Sequence, residues 1–121
     1  MKTNLIFTAL LLALLLTACA TSALEVTPEM NASMLAFADQ YDIWYPDSDQ
    51  NIARECAKNH GPVYWNEELR GYAVTCPLPW AEQSFGMVTF DESGSLMNAF
   101  GFGAASQSAL SETLALLGWK R

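Results

Sequence analysis

The amino-acid sequence predicts an α+β domain with two N-terminal helices, a four-stranded antiparallel meander and a C-terminal helix packed on the sheet. Three observations lead to this prediction. Apolar residues recur at helical spacings of three and four in two segments between residues 28 and 59. Four short runs of β-type residues follow between residues 63 and 102. Helical spacing then returns at the C-terminus, and we expect the helices to cover one face of the sheet.

The first helix is predicted over residues 28–41. Thr27 is a suitable N-cap, Pro28 suits the first helical position, and Glu29 places an acid in the first turn. Residues 43–46 follow as a short extended link. The stripe expected to face the core consists of Met30, Met34, Phe37, Ala38 and Tyr41.

The second helix is predicted to begin at Asp47-Ser48-Asp49 and to end near Asn59. Residues 47–51 also match the opening of a calcium-binding loop. The rest of that pattern is missing, because Ile52 replaces the turn glycine and Lys58 replaces the bidentate glutamate. Helix capping therefore explains both aspartates, and no metal site is predicted.

The second half of the chain is predicted to form two hairpins and the last helix. The last helix has Ser106 or Ser108 as its N-cap and ends at Gly118, with leucines on its apolar side. Prolines stiffen the connection between the hairpins at residues 77–80. The predicted strands are residues 63–65, 72–76, 85–90 and 96–102, with a loop at 67–71 and a turn at 91–94.

The N-terminus carries an export signal. Lys2 precedes an apolar run over residues 5–18, which has the length of a secretory signal and is short for a membrane span. The run ends in Leu16-Thr17-Ala18-Cys19. This tetrapeptide resembles the lipobox of bacterial lipoproteins. The resemblance implies cleavage before Cys19 and attachment of a diacylglycerol to that cysteine.

The resemblance divides the chain into a lipoprotein signal peptide (1–18), a lipidated N-terminus with a tether (19–27) and one small disulfide-bonded domain (28–121). Ala20 follows the cysteine in place of the aspartate that retains lipoproteins in the inner membrane, so the resemblance implies the outer membrane, facing the periplasm. Two alternatives stay open. Ala18-Cys19-Ala20 is also an A-x-A site, whose cleavage would release a soluble periplasmic or secreted protein. The segment can also remain as an uncleaved anchor.

The chain has three cysteines, and the N-terminal one leaves the thiol pool under either cleavage. Cys56 and Cys76 are then the only possible pair, and an oxidising periplasm favours a disulfide between them. Closing a loop of about 20 residues should stabilise the fold by about 3 kcal/mol. We interpret the bond as structural because no C-x-x-C motif is present. Two buried free thiols are the alternative.

The charge of the chain argues against some classes of partner. Loss of Lys2 with the signal lowers the formal net charge from −7 to about −8, and the remaining basic residues form no run. Nucleic acid is therefore not an expected partner, because it requires a positive surface. Membrane attachment would depend on the acyl chains.

No catalytic constellation, cofactor or metal site is predicted. His60 is the only histidine, and Cys56, one helical turn before it, is expected to be oxidised. Residues 101–106 resemble a phosphate-binding glycine turn only superficially, because no lysine follows and the neighbouring strands are predicted to be antiparallel. We therefore expect a protein that is not an enzyme.

Large aromatic residues in predicted loops are the candidates for partner contacts. Trp44, Tyr45 and Trp80 lie beside prolines, and protein interfaces are enriched in tryptophan and tyrosine. A tryptophan folded back onto the core is the alternative at each site. The phenylalanines expected in the core are Phe37, Phe85, Phe90 and Phe100.

Together these features predict a lipid-anchored, periplasm-facing envelope protein that binds another envelope protein, as an accessory or an inhibitor. One alternative is a small-ligand carrier or an enzyme with a pocket between helices and sheet. A structural envelope lipoprotein is the other.

Overall fold

A computed structural model describes residues 24–121, and the predicted signal peptide and Cys19 lie outside these residues. The predicted α+β class is confirmed. None of the described helices is long and apolar enough to cross a membrane. The described elements are α1 (Pro28–Trp44), α2 (Ile52–Lys58), β1 (Val63–Asn66), β2 (Gly71–Pro77), β3 (Ser84–Asp91), β4 (Leu96–Gly103), α3 (Gln107–Leu116) and β5 (Trp119–Lys120).

The strands form one antiparallel sheet in the order β4-β3-β2-β1-β5. The predicted four-stranded meander is present, and β5 is an additional strand. Gly118 has a φ of +93°, a left-handed conformation that suits glycine, and it turns the chain back after α3. Trp119 then pairs with Asn66 of β1. A two-residue strand is too short to leave a periodic pattern in the sequence.

The helices cover both faces of the sheet, so the prediction of a single covered face is wrong. α1 and α2 pack on the face that carries Val74 and Cys76, and α3 packs on the face that carries Tyr64 and Ala73. The physical reason is that β2 is buried on both sides over most of its length. A strand buried on both faces needs a helix layer on each.

The disulfide Cys56–Cys76 links α2 to β2 in the larger core and confirms the predicted pairing. Gly86 of β3 lies directly beneath it. A Cβ atom at this position would lie 3.0 Å from the Cys76 Sγ atom and 2.8 Å from the Ile52 Cγ2 atom. Glycine therefore allows the disulfide and α2 to approach the sheet this closely.

The corner between α1 and α2 differs from the prediction at both ends. α1 continues to Trp44, so this residue lies in the last helical turn rather than in an extended link. α2 begins later than predicted, with Asn51 as its N-cap in place of the aspartates at 47–49. The buried Asn51 side chain accepts from the Arg54 backbone N–H and donates to the Ala38 carbonyl oxygen. A single amide thus caps α2 and joins it to α1, a contact that sequence spacing does not reveal.

Asp42 of α1 makes this corner sensitive to pH. Hydrogen bonds from Arg54 and Asn51 lower the pKa of its carboxyl below the usual 3.8. Because the pKa is lower in the folded state, the carboxylate stabilises the fold above the unfolded-state pKa, and this contribution disappears as pH falls through the folded-state pKa. We expect Asp42→Asn to lose less stability than the parent chain between about pH 5 and about pH 2. Urea unfolding at each pH checks this, and parallel losses in the two proteins would contradict it.

The predicted tether is partly attached to the domain. The side chains of Leu24 and Val26 are half-buried and pack against the larger core. The chain therefore meets the folded domain before the first residue of α1.

Candidate functional site

The residues predicted for partner contact lie in two separate places. Trp44 and Tyr45, at the end of α1, are 58% and 57% exposed. Each packs on an aromatic ring earlier in α1. Trp44 contacts Phe37, two turns back, at 6.3 Å, and Tyr45 contacts Tyr41, one turn back, at 4.8 Å between ring centroids. Trp80 lies in a turn and is half-buried against the larger core. A role for any of them in binding stays a prediction.

The candidate catalytic groups do not come together. Cys56 is in the disulfide and provides no thiolate for His60. His60 is exposed and lines an open cavity with Glu25 and Arg121, beside the end of β5. Residues 24–121 hold no group of three or more side chains of the kinds that bind metal ions.

The most distinctive surface is an apolar groove between α3 and the β3–β4 half of the sheet. Its volume is about 420 Å³, and no charged residue lines it. The groove is lined by Leu69, Met87, Thr89, Asn98, Phe100, Phe102, Thr113, Leu114, Leu117 and Trp119.

The groove exists because α3 is short and covers only part of its face. Leu110 and Leu114 are buried against Tyr64 and Met87, and the Tyr64 hydroxyl is 2.8 Å from the Ser111 Oγ atom. These contacts hold α3 over the middle of the sheet and leave the β4 side open. Phe100 is consequently 39% exposed, so the expectation that it lies in the core is wrong.

Two exposed leucines form the rims of the groove, and one buried side chain positions both. Leu69 is 69% exposed and Leu117 is 64% exposed. The Asn66 Oδ1 atom accepts from the Leu69 backbone N–H at 3.0 Å, and its Nδ2 atom donates to the Leu117 carbonyl oxygen at 3.1 Å. Asn66 itself is only 2% exposed. The amide therefore fixes the distance between the β1–β2 turn and the end of α3.

Charged residues fix the turn that carries Leu69. The Arg70 Nε atom donates to Glu92 of the β3–β4 turn at 2.7 Å, and its Nη1 atom donates to Glu67 at 3.1 Å. The hydrogen bond from Arg70 lowers the pKa of Glu92 below its usual value. These ion pairs are exposed and join two turns without entering the groove.

Asn66→Ala should lower the free energy of unfolding by about 2 kcal/mol, because it removes a buried side chain together with its two partly buried hydrogen bonds to the Leu69 and Leu117 backbones. Asn98→Ala is the matched control, since the exposed Asn98 side chain bonds only to the adjacent Ala99 N–H. We expect the control to change stability by less than about 0.5 kcal/mol. Urea unfolding measures both, and equal losses would show that Asn66 is not the support of the rims.

Sequence reasoning missed the groove and Asn66. The available signal was the absence of charge, since no charged residue occurs between Glu92 and Glu112. An uncharged stretch predicts burial in the core, which is also what we expected for Phe100. The absence of charge therefore did not distinguish a surface groove from the core. The side of the sheet on which α3 packs decides which of these apolar residues stays exposed, and the sequence pattern does not specify that side.

The domain thus presents two apolar surfaces on opposite layers. The groove is concave and supported by a buried asparagine, whereas the aromatic residues Trp44 and Tyr45 lie at the exposed end of a helix. Comparison with known proteins favours neither, because no family model, no curated protein and no solved structure matches this chain.

Proposed function

We propose that this chain is a lipid-anchored protein of the bacterial cell envelope that binds another protein through the apolar groove. The observation that carries the proposal is the groove itself, which is concave and uncharged in a chain with a formal net charge of −7. Concave apolar surfaces with exposed rims are typical of binding sites. The role proposed is binding, as an accessory or inhibitor, and not catalysis.

The position of the N-terminal segment supports presentation of the groove to a partner. Leu24 and Val26 pack against the larger core, on the face of the sheet that α1 and α2 cover, whereas the groove lies on the face that α3 covers. Cys19 precedes Leu24 by five residues, which span at most about 17 Å. Lipidation at Cys19 would therefore hold the α1–α2 face near the membrane and leave the groove, on the opposite face, directed toward the periplasm.

Capture of the partner by the intact lipoprotein tests the groove. We expect Phe100→Glu to reduce recovery of the partner by more than about tenfold, because it places a charge among the apolar lining residues. Leu116→Glu is the matched control, since Leu116 is 88% exposed on α3 and lies outside the groove. Equal recovery with Phe100→Glu and Leu116→Glu would refute the groove as the interface.

The same capture experiment separates the groove from the aromatic residues predicted as contacts. Trp44→Ala or Trp80→Ala should weaken recovery if those rings contact the partner, and should leave it unchanged if the groove alone does. Loss of recovery with Trp44→Ala but not with Phe100→Glu would indicate that the partner contacts the end of α1 instead of the groove.

The anchor has its own test. Cys19→Ser should abolish metabolic labelling with a fatty-acid analogue, and the parent chain should be labelled. Labelling that persists in Cys19→Ser would contradict the lipobox interpretation, and an unlabelled parent chain would favour cleavage after Ala20 or an uncleaved signal.

A small apolar ligand is the second candidate occupant. The groove volume of about 420 Å³ falls in the range of small-molecule sites. Solvent extraction and mass spectrometry of the purified parent chain should then release a stoichiometric apolar compound that Phe100→Glu does not retain. If the parent chain releases no such compound, a protein remains the proposed occupant of the groove.

A further inference from the structure

The β4 edge of the sheet has backbone groups directed away from the domain. The Ala104 backbone N–H donates to the Gln83 carbonyl oxygen at 2.9 Å, and hydrogen-bonded pairs alternate along an antiparallel ladder. With the observed register, Phe100 and Phe102 therefore bond to β3 through Met87 and Phe85. The intervening residues of β4, which direct their N–H and C=O groups outward, are Ala99, Gly101 and Gly103.

Nothing in the described part of the chain covers this edge. Gly101 and Gly103 are exposed, and only the Ala99 N–H has a partner there, the Oδ1 atom of the adjacent Asn98 at 2.9 Å. β4 also lacks the lysine, proline or inward-pointing charge with which proteins protect edge strands from pairing. The edge is therefore open to a further strand.

The sequence of β4 is complementary to its own reverse. Around Gly101 it has a phenylalanine on each side, at 100 and 102, and then a small residue on each side, at 99 and 103. A reversed second copy would place phenylalanine opposite phenylalanine and small residue opposite small residue. Self-complementarity of this kind is what a twofold-symmetric interface requires.

We infer that two copies of this chain pair through β4, antiparallel and about a twofold axis at Gly101. Gly101 lies opposite Gly101 of the second copy, and Ala99 lies opposite Gly103 of the second copy. This register uses all three outward-facing residues of each strand, whereas centring the pair one residue earlier or later leaves one of the three without a counterpart among them. The partner is a second copy because the strand is complementary to its own reverse, and β4 carries no charged side chain that would lie opposite a like charge in the pair.

The pairing places the two grooves side by side. Phe100 faces Phe102 of the second copy on the groove side of the sheet, and aromatic cross-strand pairs stabilise antiparallel strands. The inference goes beyond the proposed function, because pairing uses backbone groups at the edge whereas the groove offers side chains. The pairing through β4 and the proposed binding at the groove can therefore fail separately.

Cross-linking of the full-length chain in bacterial envelopes tests the pairing. Opposed residues in a hydrogen-bonded antiparallel pair have Cα atoms about 5.5 Å apart, within reach of a short bismaleimide. Gly101→Cys should therefore give a band of twice the monomer mass. An added side chain is accommodated there, because its Cβ would lie 3.3 Å from the flexible end of Leu78 and at ordinary contact distance, 3.6 Å, from the Ile52 Cδ1 atom and the Phe85 carbonyl oxygen. Leu116→Cys and the parent chain are the controls and should give no such band.

Gly103→Pro, introduced into the Gly101→Cys chain, tests whether the strand edge is responsible. The proline ring removes an outward N–H and leaves the bonds to β3 intact, and a Cβ at 103 meets only the Gln83 oxygen, at 3.6 Å. The dimer band should decrease by about tenfold or more, because the twofold axis removes two hydrogen bonds at once. Phe100→Lys is a second variant for the same purpose, and protease resistance shows whether each variant is folded.

The inference is overturned by any of three results. The first is no dimer band from Gly101→Cys while a maleimide label shows that the thiol is accessible. The second is an equal band from Leu116→Cys. The third is a band that survives both Gly103→Pro and Phe100→Lys in folded protein. Cross-linking of Gly101→Cys to a different protein instead would assign the edge to a foreign strand. Loss of the dimer in Gly103→Pro with unchanged partner capture would leave the groove proposal in place, because residue 103 does not line the groove.

Discussion

Replacing Cys56 and Cys76 together by alanine should lower the free energy of unfolding by about 3 kcal/mol. The disulfide joins positions 20 residues apart, so its loss frees a long loop in the unfolded chain. Both cysteines are buried in the larger core, and alanine leaves no new polar group there. For a domain of this size such a loss is a large fraction of the total stability.

Urea unfolding of the parent chain with and without a thiol reductant, beside the double variant, measures this effect. Reduction should shift the parent chain toward the double variant and should leave the double variant unchanged. A double variant as stable as the oxidised parent chain would show that the disulfide does not stabilise the fold.

Phe90→Ala should destabilise the domain by about 4 kcal/mol. Phe90 is fully buried at the centre of the larger core, between the sheet and α1, so its removal leaves a cavity that rigid neighbours cannot fill. Phe100→Ala is a matched control on the adjacent strand. Because Phe100 is 39% exposed, we expect its truncation to cost about 1–2 kcal/mol.

The difference in stability loss between Phe90→Ala and Phe100→Ala tests whether the groove is a surface of the folded domain. Chemical unfolding of both variants should separate them by about 2 kcal/mol or more. Equal losses would mean that Phe100 belongs to the core and that the groove closes in solution.

The parts of the fold that sequence predicts are those fixed by local chemistry. Thr27 and Ser106 are the N-caps of α1 and α3, because their hydroxyls satisfy backbone donors that the helix start leaves free. The two hairpins follow from short β-type runs separated by turn residues. The disulfide follows from the cysteine count, given either cleavage of the signal.

The parts that sequence does not predict depend on contacts between distant segments. The N-cap of α2 is Asn51 and not the predicted aspartates, because the Asn51 amide also donates a hydrogen bond to the Ala38 carbonyl oxygen of α1. Nothing in the sequence distinguishes Asn66 from the other strand residues. Its role depends on the hydrogen bonds of its amide with the Leu69 and Leu117 backbones. The groove likewise depends on how far α3 extends over the sheet, which no periodicity encodes.

Photo-cross-linking at two adjacent leucines of the intact chain in living cells tests the groove proposal most directly. Leu117 lines the groove and Leu116 does not, yet both side chains are exposed. A photoreactive phenylalanine analogue at 117 should give a discrete adduct with one other protein, and the same analogue at 116 should give none. An adduct of equal yield at 116 would contradict the groove as the binding surface. The absence of an adduct at 117, in cells where the intact lipoprotein still captures its partner, would contradict it as well.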